Sequence, residues 1–284
     1  MDFLRPVTWA EALALKAERP EARPIMGGTD VMVELNFDKS RPGALLDLTA
    51  VEDLTTWSNG GTTVGLGAGV PYTRLIDELG RKLPGLAMAS RTVGSPQIRN
   101  RGTVGGNLGS ASPAGDAHPP LLAGGASVVA ESVRGVRKIP IDEFFLGPKR
   151  SALQPDELIR TVEIEVAQGP QRFAKIGTRN AMVIAVCSFS IALKPGERGV
   201  GTGIGSAGPT PLRAAEAETY AASALDWEGR SPLDPAVAER FGELVAEAAG
   251  PIDDVRGTAA YRRHALAVLA RRTLTWTWED HRCA

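Results

Sequence analysis

Two glycine doublets are the features best placed to do chemistry: Gly27 and Gly28 in "PIMGGTD", residues 24–30, and Gly105 and Gly106 in "RGTVGGNLGSASPAGD", residues 101–116. Adjacent glycines leave backbone N–H groups unobstructed and can take positive φ, so an anionic oxygen can come closer than any side chain would allow. In the first stretch an apolar run enters the doublet. Thr29 then stands where it could cap a helix over "DVMVELNF", whose dipole would add to the site. In the second stretch Asn107 offers an amide, Ser110 and Ser112 offer hydroxyls, and Asp116 offers a carboxylate. A hydrogen bond to a charged oxygen is worth about 1.5–3 kcal/mol, so four or five backbone amides could hold a pyrophosphate without Lys or Arg. Positive φ is expected at one glycine of each doublet. The plainer readings are a turn for the first stretch and a long surface loop for the second.

A third glycine run, "GIGSAG" at residues 203–208, has the GxGxxG spacing of dinucleotide-binding folds. That fingerprint needs a helix opening at the glycines and an acidic residue about 20 positions on at a strand end. Pro209 and Pro211 follow at once, and Asp226 falls at a helix end, so the run reads instead as a glycine-rich strand packed close to a neighbour. Metal chemistry has few candidates. The chain has 2 Cys and 3 His, whereas a [2Fe–2S] cluster takes four Cys and a structural zinc site four Cys or His. Cys187, inside "MVIAVCSFSIAL", reads as a buried thiol.

The elements that must position these residues alternate early. Thr8 with Glu11, and Thr49 with Glu52, form capping-box patterns. Helices are expected over "WAEALALKAE", "DVMVELNF", "YTRLIDELG" and "HPPLLAGGA", and strands over "RPIM", "ALLDL", "TTVGLGAG" and "DELIRTVEIEV". "SVVAESVRGVRKIPI" reads as a hairpin. "FAKIGTRNAMVIAVCSFSIALK" reads as one long strand, followed by the strand "VGTGIGSAG" and three helical stretches, one opening at Asp234-Pro235. The character of the chain changes near residue 177. The expected division is therefore 1–177, with subdomains of about 1–56 and 57–177, and then an α+β part over 178–284.

Composition excludes several classes. Lys+Arg 32 against Asp+Glu 33 gives a net charge of -1 with the signs interleaved, which argues against a nucleic-acid partner. No stretch reaches the roughly 20 apolar residues that span a bilayer. The N-terminus lacks the apolar core of a signal peptide, so the chain reads as cytoplasmic.

The stretches "PIMGGTDVMVEL", "VGSPQIRNRGTVGGNLGSASPAGDAHPPLLAGGASVV" and "FAKIGTRNAMVIAVCS" resemble the FAD-binding medium subunit of the molybdenum hydroxylases, the xanthine dehydrogenase and carbon monoxide dehydrogenase group; the resemblance runs from Asp2 to about Trp276. It implies an α+β protein: a two-subdomain FAD-binding domain of the vanillyl-alcohol-oxidase type, then an α+β C-terminal domain. It implies that Pro24, Ile25, Met26, Gly27, Gly28, Thr29, Asp30 and Val31 form one loop on the FAD pyrophosphate, and Thr103, Val104, Gly105, Gly106 and Asn107 the other. Asp116 would bond the cofactor, and Ile159 and Lys175 would contact the flavin; Ser110, by its hydroxyl in the same loop, is a further cofactor-binding candidate. Val93 departs from the aromatic residue that eukaryotic members place there, leaving the flavin's stacking partner open. The implied activity is that of an oxidoreductase subunit. FAD would take electrons from a [2Fe–2S] small subunit, fed by a molybdopterin large subunit, and pass them to NAD, O2 or a quinone. The alternative is a self-sufficient flavin oxidoreductase of the same domain type. No residue of this chain is expected to act as a catalytic acid or base, or as a metal ligand.

Overall fold

A computed structural model describes residues 1–284. The chain opens with β1 (Asp2–Leu4), α1 (Trp9–Glu18), β2 (Arg23–Ile25), α2 (Val31–Asn36) and β3 (Ala44–Asp47). The strands form a parallel sheet of order β1-β3-β2, with β3 buried along its whole length. Parallel neighbours need crossovers, which α1 and α2 supply. Thr8 caps α1 by accepting from the Glu11 amide, and Glu11 in turn accepts from the Val7 amide. The second expected capping box does not form. Residues Glu52–Thr55 make a single 3-10 turn with Val51 at its N-cap and no side-chain cap, too short to leave the set of open amides that a box would satisfy.

Next come β4 (Trp57–Asn59), β5 (Thr63–Gly67), α3 (Tyr72–Leu79), α4 (Pro84–Arg91), α5 (Pro96–Arg99), α6 (Val104–Ser110) and α7 (His118–Gly124). After them lie β6 (Ser127–Ser132), β7 (Gly135–Pro140), α8 (Ile141–Phe144), a small ribbon of β8 (Phe145–Gly147) and β9 (Arg150–Ser151), and β10 (Leu158–Glu165). The sheet is antiparallel, of order β4-β5-β10-β6-β7. Alternating residues, Val64 and Leu66 on β5 and Val128 and Ala130 on β6, face one core shared with the parallel sheet.

The third sheet is β11 (Gln171–Ile176), β12 (Cys187–Lys194) and β13 (Gly199–Gly205), antiparallel in that order, followed by α9 (Ala215–Ala224), α10 (Pro235–Ala248) and α11 (Ala259–Arg282). One sequence expectation is corrected here. "FAKIGTRNAMVIAVCSFSIALK" is not one strand, because residues 177–186 leave the sheet between β11 and β12. β11 is bonded to β12, so the third sheet begins at Gln171. β12 is buried on both faces, by α9 to α11 on one side and α7 on the other. The "GIGSAG" run lies on and just after β13, a strand whose glycines α7 approaches too closely for side chains: a Cβ at Gly203 would sit 2.0 Å from the Pro119 carbonyl, and one at Gly201, just before the run, 2.1 Å from that of Ala123. Asp234 caps α10 through the Ala236 amide, as Asp-Pro predicts.

Candidate functional site: a cleft between two glycine turns

Where β2 hands over to α2, the chain turns through Gly28 at φ +74, a conformation that glycine reaches without strain. Gly27 is needed for a different reason: a Cβ there would sit 2.1 Å from the Arg101 carbonyl, so the first turn packs directly on the second. The amides of Gly27, Gly28, Thr29 and Asp30 reach no acceptor within the protein. Thr29 does not cap α2. Asp30 holds the N-cap position without a side-chain bond, and its Oδ2 instead accepts from Ser110 Oγ at 2.6 Å, joining the two glycine stretches.

The second stretch is not a bare loop. Thr103 accepts from the Gly106 amide at 2.9 Å and opens α6, so Gly105 and Gly106 form the first turn of a right-handed helix. The expected positive φ is therefore found only in the first doublet, at Gly28. Gly105 is glycine because Ala68 lies against it, 2.5 Å from its carbonyl oxygen to a would-be Cβ, not because a ligand must pass. At Gly106 a Cβ would meet only Thr103 Oγ1, at 3.1 Å.

Between the turns lies a cleft of about 830 Å³. Pro24 to Val31, Thr103, Gly105, Gly106, Asn107, Ser110, Asp116 and Ile159 all line it. Val104 does not, being buried in the core, and Lys175 does not either. Lys175 on β11 stands behind Asp116, its Nζ 2.6 Å from Oδ2 and 3.1 Å from the Thr92 carbonyl. Both side chains of this pair are nearly sealed from water. Burial raises the Asp116 carboxyl above its ordinary value, against the pull of Lys175 and Thr92. Ile159 enters at a register shift in β10, where the pairing with β6 slips between Ile159 and Thr161, and such bulges re-aim side chains.

The structure also supplies residues that the sequence reading missed. Tyr72, the first residue of α3, turns a buried hydroxyl into the cleft without a partner. Burial, and then Asp116 and Asp30, hold that phenol neutral well past its usual value, so it remains a donor. Ile98, inside a stretch quoted above, and Met182 to Ile184, from the connection between β11 and β12, add apolar lining beside Val93. The proline before Tyr72 and its helical spacing mark it as a helix residue; only its burial marks it as a site residue.

Three buried polar atoms in the cleft lack partners: Tyr72 OH, Asn107 Oδ1 and Asp116 Oδ1. A buried polar atom without a partner costs about 1–3 kcal/mol, so the cleft suits a ligand that brings both donors and acceptors. A dinucleotide cofactor fits. Its anionic oxygens match the run of free amides, its hydroxyl and ring N–H donors match Asn107 and Asp116, and the apolar walls suit its rings.

Fold and cleft together define a flavin-binding domain of the vanillyl-alcohol-oxidase type with an α+β domain behind it. Residues 1–165 match the family described as FAD binding domain in molybdopterin dehydrogenase, and residues 172–277 match the CO dehydrogenase flavoprotein C-terminal domain. The chain belongs to this family, the FAD-binding subunits of the molybdenum hydroxylases, and is an oxidoreductase flavoprotein. It is 32% identical to the carbon monoxide dehydrogenase medium chain of Afipia carboxidovorans over 96% of this chain and 95% of that one. It is 29% identical to the xanthine dehydrogenase FAD-binding subunit of Escherichia coli O157:H7, over 96% and 94%. In solved structures it superimposes, with a TM-score of 0.88 and 25% identity, on a chain of the Hydrogenophaga pseudoflava carbon monoxide dehydrogenase that lacks the Mo-pyranopterin moiety of its molybdenum cofactor; the match covers 100% of this chain and 98% of that one.

Proposed function

We propose that this chain is the electron-transferring flavoprotein of a heteromeric molybdenum hydroxylase, with FAD held by Pro24 to Val31, Thr103, Gly105, Gly106, Asn107, Ser110, Asp116 and Ile159. The observation that carries the reading is the row of unbonded amides from Gly27 to Asp30 facing α6 across one cleft. These amides are fixed before any ligand arrives, so they bind a diphosphate with little reorganisation. Gly105 lets α6 sit against Ala68 and so brings its first turn to the cleft, while the Ser110–Asp30 bond sets the spacing of the two walls. Asp116 offers its free Oδ1 to a ring N–H, and Lys175 holds that carboxylate in place rather than touching the cofactor. When bound, FAD supplies two-electron chemistry between a one-electron donor and an external acceptor. We assign the donor to a [2Fe–2S] small subunit, fed by a molybdopterin large subunit, and the acceptor to NAD, O2 or a quinone. The composition supports a cytoplasmic setting, and no helix is long and apolar enough to cross a membrane.

The test is flavin per polypeptide after gel filtration. The wild-type chain should carry FAD stoichiometrically. Gly28→Val, which forces a β-branched residue to φ +74 at a cost of about 1–3 kcal/mol, should lose it while keeping its circular dichroism. A folded Gly28→Val protein with full flavin would remove the first turn from the site.

A further inference from the structure

Helix α1 buries one stripe, Trp9, Ala12, Leu13 and Lys16, at the i, i+3, i+4, i+7 spacing of a helix packed on a core. The first three are apolar, as that spacing demands; the fourth carries an ammonium. Burying a charge is costly unless it is paired and hydrogen-bonded. Lys16 is only 6% exposed, and its Nζ donates to the Pro20 carbonyl at 2.7 Å and the Ala22 carbonyl at 2.8 Å, in the turn between α1 and β2. It forms no ion pair. Glu21 and Asp156 lie near enough to act on its charge, but Glu21 is bonded to Arg19 and Asp156 to Arg134. Burial accordingly pulls the Lys16 ammonium below its ordinary pKa, against the opposing charge of Glu21. An ammonium has three protons to donate, and the protein accepts two of them.

Lys16 lines the cofactor cleft, together with Pro20 and Ala22, whose carbonyls it holds, and with Leu153 and Pro155. Ala22 stands just before β2, and the unbonded amides of Gly27 to Asp30 follow the other end of that strand. From Ala22 to Gly27 the chain can cover at most about 16 Å at the rise of an extended strand, so a ligand that meets both must reach well beyond its phosphates.

We propose that Lys16 donates its third hydrogen bond to the adenosine half of the cofactor, and so is a residue by which the cleft selects FAD over flavin mononucleotide (FMN). The inference rests on the reading that FAD fills the cleft, and it adds a contact that neither glycine stretch supplies. Adenine presents in-plane lone pairs on its ring nitrogens and ribose presents oxygens, acceptors that match an ammonium, while Pro20, Ala22, Leu153 and Pro155 suit the faces of a planar base. Asp116 takes the ring N–H of the flavin in the same reading, which leaves the adenosine to meet Lys16.

The experiment is calorimetric titration of the flavin-free, full-length chain with FAD, FMN and ADP, in wild type and in Lys16→Met, which keeps an unbranched apolar stem and removes the ammonium. The variant should weaken FAD and ADP alike, by about ten- to a hundredfold, and leave FMN unchanged. Unchanged FAD affinity overturns the proposal. An equal loss for FAD and FMN overturns it too, because Lys16 would then only brace the turn between α1 and β2. Should Lys16→Met fail to fold, the wild-type chain decides: in ¹⁵N-lysine-labelled protein the Lys16 ammonium signal, identified by its absence from Lys16→Arg, should shift on adding ADP and stay in place with FMN. A signal that ADP does not move overturns the contact. A wild-type chain that binds neither FAD nor ADP defeats the FAD reading itself, whereas tight FAD binding that is indifferent to Lys16→Met removes only the role of Lys16.

Discussion

At the scale of single residues, the Asp116–Lys175 pair sets the site's most exacting condition. Each partner is buried against the other, so removing one strands a charge, which costs about 3–5 kcal/mol, whereas replacing both by apolar groups costs far less. Asp116→Ala should therefore lower stability by that amount and also weaken FAD by about one to two decades, from the loss of a charge-assisted acceptor. Denaturant unfolding and flavin titration of Asp116→Ala, Lys175→Met and the double variant form a cycle. If the double variant were as unstable as the sum of the singles, the pair would not be acting as a unit. The family resemblance implied a cofactor bond for Asp116 and a flavin contact for Lys175, yet only Asp116 reaches the cleft. Their pairing across 59 positions has no local signature. Cys187 matches its sequence reading: fully buried, its thiol is pushed up to about 12 and should resist alkylation in the native protein.

At the scale of elements, α6 and α7 join the cleft to the two cores. Within α6 the two glycines should separate stability from binding. Gly105→Ala drives a methyl into the Ala68 backbone and should destabilise the fold by about 1–3 kcal/mol. Gly106→Ala meets only the Thr103 hydroxyl and faces the cleft, so it should leave stability nearly unchanged and lower flavin occupancy. Melting temperature and flavin content of the two variants, measured side by side, check this, and equal behaviour would contradict the different roles of the two positions. His118, the first residue of α7, is fully buried with Nε2 against the Asn107 carbonyl at 3.2 Å. Burial lowers its pKa from 6.5 to about 4, against the opposing carbonyls of Asn107 and Ser112. The unfolded chain therefore binds a proton between those values that the folded one refuses. This contribution is full above pH 6.5 and is lost as pH falls through 4, about 3 kcal/mol in all. Urea unfolding at pH 7 and pH 4.5 should show a smaller loss in His118→Gln than in wild type; the same loss in both would clear His118 of the effect.

At the scale of the whole molecule, two cores divide the work. One holds the two sheets that shape the cleft, and the other is built on β12 and α9 to α11. The second reaches the site through β11, which carries Lys175, and through the connection that carries Arg179 and Met182 to Ile184. No group of three or more His, Cys, Asp or Glu comes together to hold a metal. The chain alone, loaded with FAD and free of molybdenum and iron by metal analysis, should pass electrons from dithionite to an artificial dye yet show no flavin bleaching with any aldehyde or purine. Bleaching by such a substrate would replace the subunit reading with a self-sufficient flavin oxidoreductase.

The sequence by itself determined what is local or periodic: the Thr8 and Asp234 caps, the alternation of β10, the glycine strand β13 and a left-handed glycine in the first doublet, though not in the second. Spacing within a few residues dictates each of these, because backbone conformation and one-sided burial leave their periods in the chain. Most of the residues that line the cleft lie in the quoted motifs, but Val104 and Lys175, also expected there, do not line it. Tertiary structure decided why they are there. Gly105 is glycine for Ala68, Gly27 is glycine for Arg101, and Lys175 serves Asp116. It also decided that "NAMVIA" leaves the sheet and that Tyr72 turns its hydroxyl inward. These depend on close approaches between segments far apart in the chain, and a close approach is set by how three sheets and their helices pack, for which no short stretch of sequence carries a period.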